Sequence, residues 1–239
     1  MRTVFRPSVA AGQSIIKKKE RRMRPISHTL FRQSIACLMC LFLSVPCMAD
    51  DVEEEFARLR FEADSLHSIG KTDSAIILAD KALGIARKDG NESWIVGSHS
   101  SLGVFLRSTG KIDEALAHYD QAMVIVTTEE FRRTADEDAR EEVAALYLNL
   151  AALHFDMSHK EEAVRHAETA AEWAERCDDM EFRGQIYNAV GPIFTATGQA
   201  EKALQYQEKG YECAMETGDE GSALKAAAYS MLSCNRLGR

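Results

Sequence analysis

The sequence predicts an all-α fold built from repeated helix pairs, and three observations lead to it. Alanine or glycine recurs at fixed offsets along four consecutive stretches of the chain. Within those stretches, apolar side chains follow the three- and four-residue spacing that is typical of amphipathic helices. No stretch alternates apolar and polar residues as a half-buried strand would, and the 239 residues include only four prolines.

The first 49 residues differ in charge from the rest and are predicted to be a targeting segment outside the fold. They contain nine of the 29 Lys and Arg residues but only one of the 37 acidic residues, Glu20. A basic region precedes an apolar run at 35–46, and Cys47 and Ala49 place small side chains before a cut at Asp50, as in a secretory signal peptide. Met23 is an alternative start that would give this signal an ordinary length.

Two fates of this leader remain open at the level of sequence. Cleavage near Ala49 would release an exported protein, periplasmic or associated with the cell envelope. The alternative is an uncleaved anchor at 33–49, although seventeen uncharged residues are marginal for crossing a bilayer. No other apolar run is long enough to span a membrane, so the mature body is predicted not to insert.

The remaining chain, residues 50–239, is strongly acidic. It has 20 basic and 36 acidic side chains, which gives a net charge of −16. Such a body repels polyanions, so nucleic acid is excluded as a partner of this region. Its three cysteines, Cys177, Cys213 and Cys234, are too few and too uneven in number for a disulfide framework.

The repeats are defined by three small residues, the second lying 12 and the third 19 positions after the first. Successive units start 40, 48 and 40 residues apart, and all twelve positions are Ala or Gly, although only 47 of the 239 residues are of these types. Glycine within a helix costs about 1 kcal/mol relative to alanine. We therefore interpret these positions as packing sites where two backbones approach closely and a bulky side chain would overpack. They are Ala63, Ala75 and Ala82; Gly103, Ala115 and Ala122; Ala151, Ala163 and Ala170; and Gly191, Ala203 and Gly210.

Each unit is predicted to consist of a helix A and a helix B joined by a short turn. Three of the four turns contain a glycine, Gly70, Gly110 or Gly198, which suits the left-handed residue that follows many helix ends. Asp73 and Asp113 fall in the first turn of helix B, where an acid complements the helix dipole. The predicted units span about 56–91, 96–130, 144–178 and 184–218, and a further helix A at 219–239 ends half-way through a unit.

A wider pattern surrounds the small positions. An aromatic residue precedes Leu-Gly or Leu-Ala in helix A, a glycine marks the turn, and alanines are spaced along helix B. The residues that fit are Leu59 and Ala63 in the first unit; Leu102, Gly103, Gly110, Ala115, Tyr119 and Ala122 in the second; Tyr147, Leu150, Ala151 and Ala163 in the third; and Tyr187, Gly191, Phe194, Gly198 and Ala203 in the fourth.

This pattern resembles the tetratricopeptide repeat over about residues 56–238. The proline that ends helix B in that family is absent, and the 40-residue period exceeds the common period of about 34. The chain is therefore similar to the long-helix variety of the repeat. The resemblance implies a right-handed α-solenoid of four helix pairs plus one further helix.

The sequence contains no complete catalytic or ligand-binding motif. The "GKT" at 70–72 lacks the earlier glycine and the preceding strand of a phosphate-binding loop. The acidic run at 136–142 lacks the central glycine and alternating ligands of a calcium loop, and His154, Asp156 and His159 cannot share one helical face. The sequence therefore predicts no enzyme activity, no cofactor and no metal site.

The resemblance also implies a concave face, lined by helix A residues, that binds an extended peptide or a partner helix. In this chain the centre of that groove would be apolar, with Val104, Leu148 and Phe155, and its ends would be polar. Carried over by register, the lining residues are Arg60, Asp64, His67, Ser100, Val104, Arg107, Leu148, Ala152, Phe155, Asp156, Gln185, Asn188, Thr195, Asn235 and Arg236.

The functional expectation is a non-enzymatic exported module for protein–protein or peptide binding, with a partner of unknown identity. The alternative is the extracytoplasmic sensor region of a longer membrane-bound signalling or transcription regulator, with a histidine kinase or helix-turn-helix output and further domains after residue 239. Pro192, inside the fourth helix A, breaks a local rule, because proline removes a helical hydrogen bond. It indicates either a tolerated kink or one that widens the groove.

Overall fold

The computed structural model describes residues 48–238, so residues 1–47 of the predicted leader lie outside it. The described chain forms helices joined by short connections, with no strand between 48 and 238, which confirms the predicted all-α fold. No helix in that range combines the length and the apolar character needed to cross a bilayer. The helices are α1 Met48–Ser68, α2 Thr72–Asp89, α3 Glu92–Ser108, α4 Ile112–Val126, α5 Glu129–Thr134, α6 Glu137–Asp156, α7 Lys160–Glu175, α8 Met180–Ala196, α9 Ala200–Thr217 and α10 Glu220–Leu237.

The described residues divide into two compact units, 48–85 and 86–238. The first unit contains α1 and most of α2. Phe56, Leu59 and Ala63 are buried along α1, and Ala75 and Ala82 are buried along α2. Their spacing is that of one apolar stripe on each helix, as the sequence predicted.

The second unit is a stack of helix pairs. Each helix A packs against its own helix B, giving the pairs α3 with α4, α6 with α7, and α8 with α9. The A helices also contact one another in sequence, α3 with α6, α6 with α8, and α8 with α10. Within 86–238 no two B helices are in comparably close contact. The A helices thus form a continuous inner layer, in the helical-repeat solenoid fold that the sequence predicted.

The twelve small residues are all buried. At two of the glycines, however, the cause of the need for a small residue differs from the one that the sequence predicted. A Cβ atom added to Gly103 would lie 2.3 Å from Cε1 of Tyr119, and one added to Gly191 would lie 2.9 Å from Cγ of Gln207. Each partner lies 16 residues further on, in helix B. At these positions glycine therefore makes room for a large side chain, and the expected close approach of two backbones is not the cause.

The same offset of 16 residues pairs small with small in the other units. Ala63 has Ala79 at that distance and Ala151 has Ala167, and all four side chains are buried. A large side chain on helix B therefore faces a glycine on helix A, and a small one faces an alanine, as dense packing requires. These pairs can be read from the sequence at the 16-residue offset.

The four turns between helix A and helix B share one hydrogen-bonding pattern. The backbone N–H of Lys71, Lys111, His159 or Gln199 donates to the carbonyl five residues earlier, at 2.8–3.0 Å. The residue before each donor is left-handed, with φ of 80° at Gly70, 82° at Gly110 and 90° at Gly198, and in the third turn this place is taken by Ser158 at φ 65°. The turn geometry is therefore kept even where the sequence lacks the glycine that favours it.

The two kinds of helix begin differently. In α3, α6, α8 and α10 a side-chain oxygen of the N-cap residue accepts a backbone N–H three residues later, and these caps are Asn91, Asp136, Asp179 and Asp219. The B helices α4, α7 and α9 have no such side-chain bond. The caps of α3, α6 and α8 lie five to eight residues before the predicted starts at 96, 144 and 184, whereas Asp219 coincides with the predicted start of the last helix.

The packing at Gly103 gives a prediction with an internal control. Gly103→Ala should lower the free energy of unfolding by about 1–3 kcal/mol, because the new methyl group overlaps the Tyr119 ring. Gly84→Ala makes the same change at an exposed position of α2 where nothing lies within 4 Å of the added atom. It should raise stability by about 0.5–1 kcal/mol, since alanine favours the helix. Urea unfolding measures both, and equal effects of the two substitutions would contradict the proposed contact.

Candidate functional site

The inner layer of A helices presents the candidate binding surface, which we call the A-helix face and define as the surface of α3, α6, α8 and α10. Beyond the N-terminal turns, at residues 96–108, 143–156, 184–196 and 226–237, the charged residues of these helices are Arg107, Asp156 and Arg236. Their net charge is +1, whereas residues 50–239 together carry −16. Beyond its N-terminal turns the face is therefore nearly uncharged on an acidic protein.

The residues predicted to line the groove differ widely in exposure. Phe155, Asp156, Asn235 and Arg236 are exposed. Half-buried positions include Arg60, Asp64 and His67 in the first unit, and Val104, Arg107, Gln185 and Asn188 in the second. The buried ones are Ser100, Leu148, Ala152 and Thr195.

The four buried residues correct the prediction that they line an open groove. Consecutive A helices pack directly against each other, and a residue at such a seam is covered by the neighbouring helix. Ser100 illustrates this, because its Oγ accepts a hydrogen bond from Asn149 Nδ2 of α6 at 3.0 Å. Leu148 and Ala152 lie on α6 between two such neighbours and retain 9% and 8% of their exposure.

Thr195 belongs to a buried polar network that joins α8, α9 and α10. Its Oγ1 donates to the carbonyl of Gly191 at 3.1 Å and lies 3.0 Å from Ser233 Oγ. Ser233 Oγ in turn lies 3.0 Å from Gln207 Oε1. These side chains satisfy one another in the interior, so Thr195 holds the last helix in place and does not reach a partner.

Asn188 is also a packing residue in part. Its Nδ2 donates to the carbonyl of Ser222 at 3.3 Å, and its Oδ1 lies 2.3 Å from where a Cβ on Gly210 would stand. Arg236 donates from a guanidinium nitrogen to the carbonyl of Thr195. Both side chains therefore connect α10 to α8.

A polar cluster lies where α3 meets α6. Nη1 of Arg107 donates to Oδ2 of Asp156 at 3.3 Å; the arginine side chain is 10% exposed and the aspartate side chain 56%. Tyr119 is fully buried, and its hydroxyl has no hydrogen-bond partner among the described residues. Burial raises the pKa of this phenol, while the charge of Arg107 lowers it and that of Asp156 raises it, so the hydroxyl lies within the field of the ion pair.

A buried and a half-buried histidine meet in the second repeat. His99, on α3, lies with its Nδ1 2.9 Å from Nδ1 of His118 on α4. Arg87 places a guanidinium nitrogen 3.3 Å from His99 Nε2. Because arginine can only donate, His99 carries its proton on Nδ1 and donates it to His118. Burial, reinforced by the positive charges of His118 and Arg87, lowers the pKa of His99 to about 4.

A second histidine cluster occupies the third repeat. The rings of His154 and His166 stack with centroids 5.1 Å apart, and His159 lies 5.8 Å from His154. Burial is the main cause that lowers the pKa of His166 to about 4, with His154 and Arg165 adding to it and Glu162 opposing. His118 and His166 occupy equivalent helix B positions, three residues after Ala115 and Ala163, and the sequence shows each of them there only as a single histidine. Their facing histidines were missed, because that required the register of helix A against helix B.

The structure does not bring the candidate metal ligands of the sequence together. Within 48–238 no group of three potential metal ligands is positioned to hold an ion. Asp156 pairs with Arg107 and not with His154 or His159. An open cleft of about 300 Å³ lies beside α5, and its walls include Phe131 and Asp136.

Comparison with known proteins agrees with this geometry. The family model described as a tetratricopeptide repeat matches residues 98–127. Among solved structures, the chain is similar to BtubC (BKLC) from P. vanneervenii, with a TM-score of 0.64 and 16% identity over 96% of this chain and 83% of that one. It is also similar to the Rap protein in complex with Competence and Sporulation Factor, with a TM-score of 0.53 and 14% identity over 96% and 72% of the two chains. At these identities the likeness shows the fold. No curated protein sequence matches the chain.

The histidine clusters make stability depend on pH. In the unfolded chain His99 and His166 become protonated below the ordinary histidine pKa of 6.5. In the folded state their pKa is about 4, so they stay neutral until the pH approaches that value. The free energy of unfolding should therefore fall as pH decreases from 6.5 towards 4. The double variant His99→Gln, His166→Gln should lose less stability between pH 7 and pH 5 than the wild type.

Urea unfolding at both pH values measures this difference. His67→Gln, on α1 and in neither cluster, is the control and should keep the wild-type slope. A double variant that loses as much stability as the wild type would show that other groups cause the acid sensitivity.

Proposed function

We propose that this chain, which is similar to tetratricopeptide-repeat proteins over residues 98–127 and shares their helical-repeat fold, is an exported, non-enzymatic module that holds a protein or peptide partner along its A-helix face. The fold is typical of protein–protein interaction modules. The Rap protein, which shares the fold, has been crystallised with a bound factor, so the fold can accommodate such a partner.

The observation that carries the proposal is the continuous layer of A helices in residues 86–238. Three successive contacts, α3 with α6, α6 with α8 and α8 with α10, align four helices side by side. Beyond the N-terminal turns of these helices the exposed surface is nearly free of charge, although the protein as a whole is acidic. A weakly charged strip loses little when a partner removes its water, as the core of an interface requires.

Phe155 supplies the aromatic anchor of this face. Its side chain, at the end of α6, is 38% exposed, and it is followed by Asp156 of the polar cluster. Partly exposed aromatic residues that become buried by a partner contribute much of the binding energy of an interface. Neighbouring positions such as Leu148 and Ala152 are already buried and have little surface left to offer.

Phe155→Ala should weaken partner capture by about tenfold or more while leaving the protein folded. Tyr211→Ala is the matched control, because Tyr211 is a similarly exposed aromatic residue, at 42%, on helix B α9. The measurement is quantitative recovery of proteins from a native extract by the wild type and both variants, after circular dichroism has shown that each is folded.

Equal loss from the two variants would indicate a general effect of removing surface aromatics. Loss with Tyr211→Ala alone would move the binding surface to the B helices. Either result would contradict the proposed face.

Export is the second part of the proposal and rests on the basic and apolar leader. We expect the protein expressed in its native cell to be recovered outside the cytoplasm, with an N-terminus at Asp50. Fractionation followed by N-terminal sequencing tests both points. Retention of residues 33–49 in a membrane fraction would favour the anchor, and a cytoplasmic protein with an intact leader would contradict export.

A further inference from the structure

The polar cluster formed by Arg107, Asp156 and Tyr119 leaves most of its hydrogen-bond donors without a partner among the described residues. Arginine offers five N–H groups and tyrosine one O–H. Arg107 makes one hydrogen bond to a described residue, to Oδ2 of Asp156. The Tyr119 hydroxyl is buried and has none within the described chain.

The remaining donors of Arg107 are accessible from the A-helix face. Only 10% of its side chain is exposed, yet none of its nitrogens is both buried and without a hydrogen-bond partner, so those not bonded to Asp156 reach the surface. The stem is held by packing and the planar head is presented at the seam of α3 and α6. A guanidinium fixed in this way is prepared to bind a planar anion with little further loss of side-chain freedom.

Asp156 is the weak member of the cluster. Its side chain is 56% exposed, and a single contact of 3.3 Å joins it to Arg107. An ion pair of this kind, partly in water and made through one hydrogen bond, contributes little to stability. A competing carboxylate that formed two parallel bonds to the guanidinium would make a stronger contact.

The charge of the surroundings limits what the competing group can be. Residues 50–239 carry a net charge of −16, which opposes the approach of a strongly acidic partner. Beyond the N-terminal turns of the A helices the other arginine is Arg236, which is exposed and donates to the carbonyl of Thr195, whereas Arg107 is mostly buried and held beside Asp156. Half-buried Val104 and exposed Phe155 are the apolar residues nearest in sequence to the ion pair. A partner segment with one negative charge among apolar residues would complement this surface.

We propose that Arg107 is the specificity-determining residue of the A-helix face and binds the side-chain carboxylate of a glutamate or aspartate in a partner segment that is otherwise apolar, with Asp156 as the internal competitor for the same guanidinium. This inference rests on the proposed function of the face. It implies that Arg107 favours binding of the partner carboxylate, whereas Asp156 of the same ion pair opposes it.

The test uses the protein and two pools of labelled heptapeptides with apolar flanks, one with glutamate fixed at the centre and the other with glutamine. Acetylated and amidated ends leave the central side chain as the sole anion. Fluorescence anisotropy gives the ratio of affinities for the two pools. We expect the wild type to prefer the glutamate pool by about tenfold, as one charge-assisted hydrogen-bonded contact would give.

Three variants, each of which removes a single charge, decide the assignment. Arg107→Gln should abolish the preference for glutamate. Asp156→Asn should increase it several-fold, because the competitor is removed. Arg133→Gln, an exposed arginine on α5, should leave it unchanged. Because Arg107→Gln and Asp156→Asn both break the ion pair, a shared loss of stability cannot produce opposite changes.

The proposal is overturned if Asp156→Asn and Arg107→Gln change the preference in the same direction, if neither changes it, or if neither pool binds at millimolar concentration. A third pool with central phosphoserine separates carboxylate from phosphate, and tighter Arg107-dependent binding of that pool would refute the carboxylate assignment. Equal binding of the glutamate and glutamine pools that is weakened by Phe155→Ala would refute the role of Arg107 while leaving the proposed function of the face intact.

Discussion

The structure depends on one packing constraint, the fit between a small residue on helix A and the side chain 16 positions later on helix B. Glycine faces Tyr119 and Gln207, whereas Ala151 has an alanine at the corresponding place. Each pair keeps its combined volume within what the hairpin interior can hold, and dense packing makes a deviation of even one methyl group costly. The hairpins that satisfy this constraint then stack through their A helices, and the face available to a partner is what that stacking leaves uncovered.

The same constraint shapes the polar cluster. Because Gly103 has no side chain, the Tyr119 ring can cross α3 and bring a hydroxyl into the field of Arg107 and Asp156. A packing device inside one repeat thus contributes to the electrostatics of the seam between two repeats. The histidine clusters arise in a similar way, since His118 and His166 are helix B side chains that reach helix A of their own repeat. In these two repeats, side chains from the hairpin interior therefore contribute to the electrostatics around helix A.

Sequence alone was sufficient for the fold because the small residues, the helical periodicity and the turn glycines all lie within about 40 positions of one another. It was less successful for the surface. Ser100, Leu148 and Thr195 have the register of lining residues, but their burial depends on the angle at which the next helix A crosses, and one repeat read in isolation does not contain that information. The contact between Arg107 and Asp156 spans 49 residues and two repeats, so it too emerged only from the stacked helices.

The difference between the two kinds of connection has a consequence for how the chain can change in length. In the second unit every connection from helix A to helix B has three residues, fixed by one hydrogen-bonding pattern. Connections from helix B to the next helix A range from two residues between α9 and α10 to a segment that includes all of α5. A capped helix A begins independently of what precedes it, so insertions are tolerated there and not at the tight turns. Inserted residues are therefore expected in the connections from helix B to the next helix A, and α5 lies in one of these connections.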